Sequence, residues 1–125
     1  MENDKQEIMK FISELPKPVM VDNTLIENCK DGRASIVLCM NLSRVKYSNT
    51  YLAALLGIDK GHFTRILSGD AHFPTNKREE LMLLCGNYAP LQYEAMVLGL
   101  SVMKMTDKQK EIIKTENYLK QLRAS

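Results

Sequence analysis

The sequence predicts an all-α fold, on three observations. Apolar residues recur at helical spacing over most of the chain, and glycines at 57, 69, 86 and 99 stand just past those runs. No segment shows period-two alternation or an Asn-Gly hairpin turn. At 125 residues, 45% hydrophobic and 26% charged, the chain is about one ordinary globular domain long and can bury a core.

The elements follow in order. Residues 5–15 put Ile8, Phe11, Ile12 and Leu15 at i, i+3, i+4 and i+7, the stripe of a short amphipathic helix that Pro16 and Pro18 end. Residues 19–21 (VMV) are ambiguous and could be extended. Thr24 and Glu27 have capping-box spacing for a short helix stopped near Gly32. From Arg33 onward five helices are expected within about 65 residues. The first is the apolar run 34–48. Asn49 or Thr50 caps the second, which Gly57 closes; Asp59 opens the third, which Gly69 closes. Thr75 or Asn76 opens the fourth, closed by Gly86, and Pro90 sits in the first turn of the fifth, closed by Gly99. Thr106 and Gln109 form a second capping box for a final helix over 106–123, with Ile112, Ile113, Leu119 and Leu122 on one face and lysines on the other. This divides the chain into an N-terminal helical extension (1–32), a five-helix domain (33–100) and a C-terminal amphipathic helix (101–125).

Composition removes several function classes. No apolar run approaches the roughly 18 residues of a membrane span, and the acidic start MENDKQE is unlike a signal peptide, so a cytoplasmic protein is expected. Cys29, Cys39 and Cys85 are an odd number without a C-x-x-C pair and read as reduced, mostly buried thiols. A zinc site would have to recruit His62 or His72 from a distance, so no metal and no cofactor are expected. Neither histidine, nor Cys85, has an orienting partner at a recognisable spacing, so the chain is not read as an enzyme. No small-molecule ligand is evident. Formal charge is only +2, but residues 1–32 carry net −3 and residues 33–125 net +5.

The informative stretch is LAALLGIDKGHFTRILSGD, residues 52–70. Gly57 can take the positive φ that a tight turn between two helices needs, and Asp59 can cap the second helix. Ile58 and Phe63 stand at the N′ and N4 positions of a hydrophobic staple, which sets the angle of entry. Ala53 is small enough for close helix approach, and Leu56, Phe63 and Ile66 are spaced to share one core. That leaves Lys60, Gly61, His62, Thr64, Arg65 and Ser68 outside, an outer face without an acid that suits phosphates and base edges.

The spacing of Ala53, Gly57, Ile58, Phe63, Ile66 and Gly69 resembles a helix-turn-helix signature, and its five-helix setting over 34–98 resembles the lambda-repressor-like, or Xre-type, DNA-binding family. The resemblance covers about half the chain. It implies a first motif helix across the DNA backbone and a second in the major groove. By position it puts Lys60, Gly61, His62, Thr64 and Arg65 at base-facing places and Asn49, Thr50, Ser68 and Lys77 at phosphate-facing ones. Ala53, Leu56, Gly57, Ile58, Phe63 and Ile66 become the motif core. Two departures stand out: Asn49 occupies a place where such proteins often carry glutamine, and Gly61 supplies no side chain where a base reader could be. The implied function is a sequence-specific transcription regulator, a repressor of the phage or mobile-element kind, acting on double-stranded DNA as a homodimer held through 5–15 or 106–123. The alternative from another class is a protein-interaction module, an antagonist of a regulator built on the same bundle.

Overall fold

The computed structural model describes the backbone of residues 2–124 and the side chains of residues 5–124. It is all-α among the described residues: α1 (Glu2–Glu14), α2 (Asn23–Glu27), α3 (Gly32–Asn41), α4 (Asn49–Leu56), α5 (Lys60–Ser68), α6 (Arg78–Cys85), α7 (Ala89–Val97) and α8 (Asp107–Ala124), with a 3₁₀ turn (Thr75–Lys77) leading into α6. Residue 19 does pair in extended form, but only as an isolated parallel bridge to Asn87. No helix of the described chain is long and apolar enough to cross a membrane.

Helix ends follow local chemistry, and several differ from the sequence expectation. Asp59 and the Thr106–Gln109 box cap as expected: Asp59 accepts from the His62 N–H, while Thr106 N–H donates to Gln109 Oε1 at 2.8 Å and Gln109 N–H to Thr106 Oγ1 at 3.1 Å. The cap of α4 is Ser48, whose hydroxyl accepts from the Tyr51 N–H, so Asn49 and Thr50 are the first helical residues instead. Asp22, not Thr24, caps α2, and Gly32 opens α3 behind its cap Asp31 instead of ending α2. Neither Thr75 nor Asn76 caps α6, whose start is carried by the 3₁₀ turn without a side-chain cap.

The largest departure is α3, which stops at Asn41 rather than continuing to Ser48. Tertiary partners outbid the helical pattern there: Arg44 N–H donates to Cys85 O at 3.2 Å, and Tyr47 Oη to Leu84 O at 3.0 Å. Both bonds tie the segment to the end of α6, so residues 42–48 run as an irregular crossing to α4.

The core is formed mainly by α3 to α7. Leu52, Leu56, Phe63, Ile66, Leu81, Leu84, Cys39 and Cys85 are each no more than 2% exposed; a large side chain buried to this degree contributes roughly 1.5–3 kcal/mol. α3 packs on α7, α6 and α5, and α4 packs on α5. Val21 and Ile26 belong to the same buried cluster, so the chain before residue 33 contributes to that core.

Buried amides fasten this N-terminal part. Gln92 accepts from Val21 N–H at 2.8 Å and donates to Val21 O at 2.9 Å, completing both backbone bonds of a residue 71 positions earlier. Asn87 donates to Cys39 O at 3.1 Å and accepts from Ala89 N–H at 3.2 Å. Lys104 reaches back from the α7–α8 connection to Pro18 O at 3.2 Å. By contrast, α8 has no buried residue.

Candidate functional site

Between α4 and α5 the chain turns within three residues. Gly57 ends α4 at φ 69°, in the left-handed region, and its N–H reaches back to Ala53 and Ala54 carbonyls. Ile58 is 8% exposed and Phe63 1%, the two ends of the hydrophobic staple. Ala53, Leu56 and Ile66 complete the packing between the helices, none of them more than 2% exposed. Gly57 itself is exposed at the corner.

The remaining face of α5 lies outward. Lys60, Gly61, Thr64, Arg65 and Ser68 are exposed in the presence of both terminal helices. The residues of α5 include no acid, and the two acids that flank it are engaged: Asp59 Oδ2 accepts the His62 N–H at 3.3 Å, and Asp70 Oδ2 accepts from Ser68 Oγ at 3.1 Å. Thr64 Oγ1 donates to Lys60 O at 3.0 Å, which leaves its methyl and its oxygen lone pairs for a partner. His62 is half-buried at the edge of this face and bonds to Arg65.

Gly61 has a structural explanation. A Cβ there would stand 3.2 Å from Asp59 Oδ2, the oxygen that caps the helix. The missing side chain therefore leaves room for the cap, at the usual helix-propensity cost of about 1 kcal/mol relative to alanine.

Of the residues expected to meet phosphate, Lys77 alone stands at the α4–α5 corner; Asn49 and Thr50 begin α4 and Ser68 ends α5. Asn49 and Thr50 are exposed at the start of α4, where free amides and the helix dipole favour an anion. Lys77 Nζ lies 3.6 Å from where a Cβ on Gly57 would be, so it hangs over the turn, and its 3.8 Å approach to Glu80 is a loose, partly exposed pair. Ser68 is at the far end of α5. Arg78, next to Lys77 in sequence, is committed elsewhere: it donates to Glu94 Oε2 at 2.8 Å and to Pro90 O at 3.1 Å, joining α6 to α7.

Two arginines with structural roles escape sequence reading. Arg33 Nε donates to Leu67 O at 2.7 Å, placing a cation at the C-terminal, negative end of α5. Arg44 donates to Pro16 O at 2.9 Å and Lys17 O at 3.1 Å. Their acceptors are backbone carbonyls 27 to 34 positions away, and no local pattern announces such a bond. His72 is exposed on the loop after α5.

Elsewhere, a cleft of about 700 Å³ opens between α3, the end of α5 and α7, lined by Ile36, Ile66, Phe73, Tyr93 and Val97 among others. Arg33 and Arg78 also line it, and the bonds just described already employ them. The thiols are free: Cys29 is half-buried, Cys39 and Cys85 fully buried. A hydrogen bond shared with Cys85, reinforced by burial, pushes the Cys39 thiol well above its ordinary range. Burial first, and the Asp31 charge second, raise Cys29.

No protein-family model, curated protein or solved structure matches this chain.

Proposed function

We propose that this chain is a sequence-specific DNA-binding transcription regulator with a lambda-repressor-like arrangement of α3 to α7, a repressor of the phage or mobile-element kind. The observation that carries the reading is the outer side of α5. Lys60, Gly61, Thr64, Arg65 and Ser68 are exposed together on a short helix that itself carries no acid, with Asp59 and Asp70 at its two ends, and its opposite side is anchored by Phe63 and Ile66. A helix so anchored can enter a major groove with its first residues at base edges. Arg65 is suited to bidentate pairing with guanine O6 and N7, worth ~1–3 kcal/mol of discrimination. Asn49, Thr50 and Lys77 supply phosphate contacts that fix register, and Ser68 joins them when its hydroxyl exchanges Asp70 for a phosphate oxygen.

A single recognition helix covers few base pairs, and two placed about 34 Å apart read an inverted repeat. The homodimer we propose uses α8. α1 turns Phe11 and Ile12 towards the core, whereas Ile112, Ile113 and Leu119 of α8 remain 43–48% exposed.

Selection of bound fragments from a random duplex pool tests the reading. Wild-type protein is expected to enrich one palindromic site, with log K falling against log salt by a slope near −0.9 per phosphate contact. Arg65→Ala should relax preference at one or two base pairs; Lys60→Ala should weaken all sites more uniformly if it meets phosphate. The absence of any DNA complex at low salt would favour the alternative, a helical bundle that binds another regulator.

A further inference from the structure

Each residue of α5 turns about 100° from the one before it, so Gly61, Thr64, Arg65 and Ser68 share an outer arc while Phe63, Ile66 and Leu67 face inward. His62 belongs to neither set. It stands on the flank, about 60° around the helix from Arg65 and one turn earlier. From there Nδ1 lies 3.1 Å from Arg65 Nη2. A guanidinium carries only donors. The imidazole nitrogen facing it must accept, which assigns the ring proton to Nε2.

We propose that His62 is a positioning residue that aims Arg65 at its base pair. The inference rests on the DNA-binding reading above and reassigns His62 from base contact to support. An arginine free in solvent loses rotamer freedom when it docks, and the contact with His62 removes part of that freedom before DNA arrives. It also restrains one end of the guanidinium while using one of its five N–H groups. Two neighbours keep the arrangement clear. Asp59 holds the His62 backbone N–H, which fixes the turn from which the ring projects, and Ser68 holds the carboxylate of Asp70. The nearest downstream acid thus has a partner other than Arg65.

The test pairs H62L, which keeps bulk and loses the acceptor, with H62Q, which keeps an acceptor. Each is measured on the site selected by wild-type protein and on the site altered at the base pair where Arg65→Ala loses preference. H62L is expected to lose about tenfold of that discrimination, ~1.4 kcal/mol, and H62Q to retain most of it. Discrimination by H62L equal to wild type, or H62Q losing as much as H62L, would overturn the role while leaving DNA binding intact. A wild-type protein that enriches no sequence would remove the DNA reading and this role together. Long-range nitrogen NMR of the free protein adds a readout that needs no DNA: an Nε2-protonated His62 is expected, and an Nδ1-protonated ring would overturn the proposal.

Discussion

Gly57 and Gly86 both end helices at positive φ, 69° and 82°, yet a methyl group would meet different surroundings at the two sites. At Gly57 the nearest atom is the flexible end of Lys77, so Gly57→Ala should cost only the left-handed backbone penalty, about 1–2 kcal/mol. At Gly86 the added carbon would collide with the Arg44 guanidinium, which would have to leave the carbonyls of Pro16 and Lys17. Gly86→Ala should therefore lose a further ~1–3 kcal/mol, visible as a lower urea midpoint than that of Gly57→Ala. The cysteines give a second expectation at this scale. In native protein a thiol reagent should reach Cys29 alone, slowly at neutral pH and faster as pH rises, because its raised pKa leaves little thiolate. Cys39 and Cys85 should react only after unfolding, since both are fully buried.

Among the elements, the Gln92 clasp has no local sequence signal, although it closes both backbone groups of Val21. Gln92→Leu would leave a buried N–H and C=O unpaired, at a cost on the order of 3 kcal/mol, and the Val21 amide should exchange with solvent much faster than in wild type. The contrast with the α4–α5 pair shows what could be read in advance. Gly57, Ile58, Asp59 and Phe63 act on neighbours within a few positions, and so their spacing carries the turn, the cap and the staple. The apolar pattern runs past the end of helix α3 for the opposite reason: Leu42, Val45 and Tyr47 maintain it, while the bonds that break the helix come from Cys85 and Leu84. At the candidate site the exposed residues of α5 were legible from helical periodicity. The coupling of His62 to Arg65 was not, because a spacing of three permits a contact without requiring one.

For the whole molecule, the sharpest division is between a body with a shared core and an α8 that buries nothing in it. Deleting residues 107–124 should leave the unfolding free energy of the body within about 0.5 kcal/mol. The same truncation should abolish the proposed dimer in sedimentation equilibrium; a truncated chain that still dimerises would move the contact off α8. The Val21–Gln92 clasp also bears on the order in which the protein is made. Synthesis at about 5–20 residues per second separates the emergence of its two halves by roughly 4–14 s. Throughout that interval the backbone of Val21 lacks the side chain that pairs both its polar groups, whereas α4 and α5 find each other within moments of leaving the ribosome. The segment around Val21 is thus among the last parts to settle.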